Sequence, residues 1–141
     1  MAKKKKRRYN KLMIKKLALL WSPVFLWCVV IFYLSSLRVK PPTGTILDII
    51  LPYFVHLGEY GILFLLTWRA SKKVAASLIF GIFYAFSDEL HQAFVPTRTP
   101  DIIDVLTDAV GMILAWLIIW KLFLPKAPSK LKNWVKNSLR I

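Results

Sequence analysis

Residues 88–111 read DELHQAFVPTRTPDIIDVLTDAVG. The stretch carries five carboxylates, His91, Gln92 and Arg98, and it lies between two segments apolar enough for a lipid bilayer. Charge at such depth is costly, so it marks a site. Elsewhere the chain holds only two more acidic residues, Asp48 and Glu59.

Working outward, the composition fixes the class. The chain is 57% hydrophobic with a mean hydropathy of +0.51, which excludes an ordinary soluble domain of 141 residues. Four segments can span a membrane. Residues 17–37 carry no charge between Lys16 and Arg38, and 49–68 carry only His56 and Glu59. Residues 74–95 are apolar first and polar later, and 102–124 reverse that order. At about 1.5 Å of rise per residue, each crosses or nearly crosses the hydrocarbon. The expected fold is an all-α integral membrane protein with four transmembrane helices. It has a basic arm over 1–16, a transmembrane domain over 17–124 and a basic tail over 125–141. The first apolar stretch exceeds the core of a secretory signal, and Leu34-Ser35-Ser36-Leu37 is a poor cleavage site, so it reads as a retained helix. Cys28 is single and sits mid-span, which excludes an intrachain disulfide.

Basic residues set the orientation. Nine Lys or Arg lie in residues 1–16, three in the link at 69–73 and six in 121–140. The opposite side holds only Arg38, Lys40 and Arg98. Positive residues stay in the cytoplasm, so both termini are expected inside. The net charge of +14 is thus a topology signal. Anionic lipid on the inner leaflet accounts for the KKKKRR run, and no nucleic-acid partner is expected. Beyond Pro125, Leu131, Trp134, Val135 and Leu139 fall at helical spacing among Lys130, Lys132, Lys136 and Arg140. This pattern predicts a short amphipathic helix on the inner membrane surface. Pro41-Pro42-Thr43-Gly44 reads as a turn in the first outer loop.

In this topology the polar residues collect at one depth in the outer leaflet. By helical rise His56 lies about 6 Å in, with Asp88 and Asp108 about 9–10 Å in. Gly81, Ala85, Asp88 and Gln92 share one face of the third helix. Asp104, Asp108, Gly111 and Ala115 share one face of the fourth. Small residues let membrane helices approach closely, so these carboxylates should point into the bundle. His56 and Tyr60 are one turn apart on the second helix, with Glu59 on the edge of their face. In the link after Val95, Thr99 can cap the fourth helix, Pro100 suits its first position, and Asp101 favours the positive end of its dipole. Pro96 leaves Arg98 at the tip, free to fold back over the carboxylates or to meet an anionic ligand. A half-buried cluster with this acidic excess cannot stay fully charged and unpartnered; it takes up protons or a cation. Its oxygen-rich donors suit a divalent cation, although the His spacing matches no zinc motif.

Asp88-Glu89-x-x-Gln92, Pro96-x-Arg98 and Asp104-x-x-x-Asp108-x-x-Gly111, preceded by His56-x-x-x-Tyr60, resemble the motifs of the VanZ-like family of bacterial membrane proteins. The resemblance runs over residues 52–117. It departs at Asp108, where the family often has Asn. It departs again before His56, where the acidic and basic residues that often precede that motif are missing. It implies a small multi-pass protein of the bacterial plasma membrane and, through the member that names the family, a link to teicoplanin resistance.

Two functional readings follow. In the first, a membrane enzyme acts at the outer leaflet on a lipid-linked or cell-wall glycan precursor. His56, Asp88, Glu89, Asp104 and Asp108 are its candidate acid–base residues, and Tyr60, Gln92 and Arg98 its candidate substrate contacts. In the second, the cluster is a non-enzymatic module that holds the helices together or binds a cation, an antibiotic or a partner protein. Four short helices are thin for a transport path unless the protein oligomerises. The topology is tested by cysteine labelling, which is expected to find Lys5 and Lys132 inside and Gly44 and Thr97 outside. Thr97 on the cytoplasmic side would move the whole cluster to the other leaflet.

Overall fold

A computed structural model describes residues 2–37, 44–96 and 98–138. Within them the chain is all helical: α1 (Ala2–Ser35), α2 (Ile46–Ser71), α3 (Val74–Gln92), α4 (Ile102–Ile118) and α5 (Ser129–Ser138). Three helices are long and apolar enough to cross a membrane: the first, the second, and the fourth with its extension to Lys126. The third, expected over 74–95, ends at Gln92 after 19 residues. That is about 28 Å, close to the hydrocarbon thickness, but Asp88, Glu89, His91 and Gln92 make its last turns polar.

The helix boundaries have local causes. The basic arm is not separate from the first span; Lys3–Lys16 continue α1 as one helix, because Lys and Arg are good helix formers. The second helix begins three residues earlier than expected. Thr45 caps it, and Asp48 returns the bond to the Thr45 backbone at 3.1 Å. Its other end is closed by Lys72 in a left-handed conformation, φ 60°, with the Lys72 N–H on the Trp68 carbonyl at 2.8 Å. The fourth helix is capped by Asp101, whose Oδ1 accepts from the Ile103 N–H at 2.9 Å. This corrects the expectation of Thr99, and Pro100 accordingly precedes the helix. Beyond Ile118 the coil widens into a π-helical turn, Ile119–Phe123, then a 3₁₀ turn, Leu124–Lys126. Of the readings made above, Arg38, Lys40, the Pro41–Thr43 turn, Thr97, Leu139 and Arg140 lie outside the described residues.

Short links make successive helices antiparallel, and α2 sits centrally against α1, α3 and α4. The core runs through Tyr60, Leu63, Phe64 and Trp68 of α2, Val24 and Ile31 of α1, Ala85 of α3, and Val105 and Met112 of α4. The outside is as apolar as the inside: Phe25, Ile46, Phe54, Phe83 and Ile113 are exposed. Such a surface suits lipid, not water. The fifth helix turns part of its apolar face to the bundle, while Leu131 stays exposed. Trp134 packs on Trp68 with ring centres 5.0 Å apart, and Val135 is buried.

The closest backbone approach is between α2 and α4. A Cβ on Gly111 would lie 2.5 Å from the Leu57 carbonyl oxygen and 2.8 Å from its Cα, both backbone atoms that cannot step aside. A Cβ on Gly61 would meet only the Gly111 oxygen at 3.4 Å and the Ala115 Cβ at 3.6 Å. Gly111→Ala should therefore destabilise the fold by about 1–3 kcal/mol, and Gly61→Ala by clearly less. Thermal unfolding in detergent checks this, and equal loss in the two variants would contradict it.

Candidate functional site

The contact of α2 with α4 sets the first part of the site. Leu57 and Gly111 touch, so the preceding residue on one helix and the preceding turn on the other face each other. His56 Nδ1 and Asp108 Oδ1 share a hydrogen bond of 2.9 Å. Both are buried, Asp108 to 1% exposure. The other ring nitrogen, Nε2, lies 3.9 Å from Asp104 Oδ2, whose side chain is 24% exposed. Asp108, His56 and Asp104 thus form a line from the interior to the surface.

The second part hangs on α3. Asp88 is buried on the stripe of Gly81 and Ala85. Its Oδ2 accepts from Gln92 Nε2 at 3.2 Å, one turn along the helix. Gln92 Oε1 accepts from Arg98 Nη1 at 3.2 Å. The rest of the guanidinium turns to the end of α1: Nη2 donates to the Leu34 carbonyl at 3.4 Å and Nε to the Leu37 carbonyl at 3.3 Å. The Leu34 carbonyl also takes the Leu37 N–H at 3.1 Å, and a cation suits the negative end of a helix. Arg98 was expected to reach a carboxylate; it reaches Asp88 only through Gln92, because the open helix end offers nearer acceptors.

Glu89 does structural work in the same layer. Its Oε2 accepts from the Asp101 backbone N–H at 2.7 Å, tying the end of α3 to the start of α4. His91 points away from this group. It stacks on Phe32 at 4.0 Å and shares a 2.9 Å hydrogen bond with Ser36. Ser35 and Ser36 were read in the sequence only as part of a poor cleavage site, and Trp27 was not singled out. Ser35 stands beside Asp88, and Trp27 Nε1 donates to the Glu59 carbonyl at 2.8 Å. The Ser-Ser pair at the end of an uncharged span was the available signal.

Among the described residues, five buried side-chain polar atoms have no partner, and four belong to this site: Glu59 Oε1, Tyr60 OH, Asp88 Oδ1 and Glu89 Oε1. Tyr60 is fully buried. Orphaned oxygens in an apolar interior are rare and need a cause. Among the described residues, no three His, Cys, Asp or Glu side chains converge to hold a metal ion.

A family model described as VanZ/LLP1 matches residues 20–124. The match takes in the helices that carry all of these residues. No curated protein and no solved structure matches the chain.

The pair at the centre of the site can be measured. His56→Ala, Asp108→Ala and the double variant, unfolded in mixed micelles, should show a coupling of roughly 0.5–3 kcal/mol. Additive losses would mean that the two side chains do not interact.

Proposed function

The chain belongs to the VanZ/LLP1 family, and on that footing we propose that it is a four-span protein of the bacterial plasma membrane with both termini in the cytoplasm. In this reading the polar cluster lies in the outer leaflet and does acid–base work on a lipid-linked or cell-wall glycan precursor. The distribution of basic residues supports the orientation, and basic termini suit the anionic lipid of the inner leaflet. The link to glycopeptide resistance rests on the family resemblance alone.

The observation that carries the reading is the buried His56–Asp108 hydrogen bond of 2.9 Å, with Nε2 turned toward the partly exposed Asp104. Asp108 fixes which ring nitrogen is held and offsets the charge of an imidazolium. Nε2 is then the atom that accepts a proton from a group arriving from outside, and Asp104 is the group that passes it to water. The oxygens of Tyr60, Glu59 and Asp88 that have no partner among the described residues lie in the same bundle interior. Gln92, Arg98 and Glu89 hold the helix ends around them.

A separate observation favours the non-enzymatic reading: Glu89 bonds the Asp101 backbone, and Arg98 bonds two carbonyls at the end of α1 and the Gln92 side chain. That reading extends the same role to the whole cluster.

Cell susceptibility to teicoplanin, scored beside protein abundance, separates the two. His56→Gln should abolish the phenotype at unchanged abundance, since loss of a general base costs about 10²–10⁴-fold in rate. Arg98→Lys should instead lower abundance, because a single ammonium cannot reach three acceptors. Asp108→Asn keeps an acceptor but loses the charge; full activity there would reduce Asp108 to an orienting group. A fully active His56→Gln would overturn the acid–base reading.

A further inference from the structure

A cavity lies at the opposite end of the bundle, far from the polar cluster. It has a volume of about 510 Å³, is open on one side, and is lined by α2, the π-helical turn after α4, and α5. That size falls within the roughly 300–1,000 Å³ of ligand sites. Leu65, Trp68, Ile118, Leu131 and Trp134 form its walls, and Arg69 is its one charged lining residue among those described.

Three features identify the occupant. The walls are almost wholly apolar, which suits a hydrocarbon chain. The guanidinium at the wall is anchored: Arg69 Nη2 donates to the Leu20 carbonyl at 3.3 Å and the Leu19 carbonyl at 3.5 Å. Leu19 stands four residues before Pro23, which has no N–H to give it. Among the described residues these bonds use Nη2 alone, which leaves Nε and Nη1 for a ligand. The surroundings are uniformly basic as well. Lys72, Lys73, Lys121, Lys126 and Lys130 are exposed at this end, and Lys132 lines an adjoining depression beside Trp120 and Pro125. No acidic residue lies in the sequence beyond Asp108 or between Glu59 and Asp88. The attraction is thus unopposed here, and Arg suits phosphate geometry.

We propose that this cavity holds one acyl chain of an anionic phospholipid from the leaflet that meets the termini. The phosphate sits at Arg69, and α5 is the flap that closes over the chain. Trp134 on Trp68 keeps the flap shut. The site differs from the general attraction of a basic tail to a membrane, because it retains a single lipid. It does not depend on the acid–base reading of the outer cluster.

The full chain, purified in neutral detergent, is offered equal amounts of phosphatidylglycerol and phosphatidylcholine with the same acyl chains. Native mass spectrometry then reads the first lipid retained. Wild-type protein should prefer phosphatidylglycerol by about tenfold, the scale of one charge-assisted contact. Ile118→Trp, which fills the cavity from a half-exposed wall position, should abolish retention of both lipids. If that variant does not fold, Leu65→Phe serves the same purpose. Arg69→Gln should keep one lipid and lose the preference. Equal retention of the two lipids by the wild type would overturn the proposal. So would phosphatidylglycerol retained by the filled variant, since the lipid would then ride on the basic surface, or a preference that survives Arg69→Gln.

Discussion

Gly111 has no side chain, and α4 therefore lies directly on the α2 backbone at Leu57. The rest of the outer half depends on that approach. One residue before Leu57 is His56, and one turn before Gly111 is Asp108. With the backbones in contact, a histidine and an aspartate from different helices meet at 2.9 Å out of reach of solvent. A methyl group at position 111 would separate the helices and leave two buried polar groups without each other. In hydrocarbon that loss is severe, because water cannot replace the partner. Packing and polarity are one constraint here: the small residue permits the pair, and the pair gives the contact its specificity.

The first helix shows what else holds such a bundle together. Lipid tails are as apolar as leucine, so burial alone does not draw α1 to its neighbours. Its attachments are instead hydrogen bonds that involve its own backbone or reach a neighbour's. Arg69 serves the carbonyl freed by Pro23, and Arg98 serves the carbonyls of the C-terminal end. Tyr84 OH donates to the Cys28 carbonyl at 2.6 Å, and Trp27 donates to Glu59. The two arginines bracket the span near its ends, one beside the proline and one at the C-terminal carbonyls. This explains why Arg98 turns from the nearby carboxylates. Gln92 carries its influence to Asp88 and spares the guanidinium for α1.

Much of this was legible in the residues. The inward face of α3 follows from Gly81, Ala85, Asp88 and Gln92 at helical spacing, and all four are buried. The face of α4 follows in the same way, with Asp104 less covered because it stands nearest the surface. What the spacing does not encode is the partner across the interface. Whether His56 meets Asp88 or Asp108 depends on the rotation of α2, which Leu57 and Gly111 decide. The bonds of Arg98 were hidden for a related reason: backbone carbonyls leave no mark in a sequence. The fourth-helix cap moved from Thr99 to Asp101 because two candidate caps lay two residues apart. The tail helix was read correctly as amphipathic, but its apolar face met a protein surface before it met lipid.

The central claim is that His56 and Asp108 form a dry pair inside the bundle. Solid-state NMR on the full chain in lipid bilayers can measure the distance from His56 Nδ1 to the Asp108 carboxyl carbon directly. The account predicts a strong dipolar coupling, consistent with the 2.9 Å hydrogen bond, and a carboxyl shielded from water. A carboxyl in fast exchange with water, with no coupling to the imidazole, would contradict it.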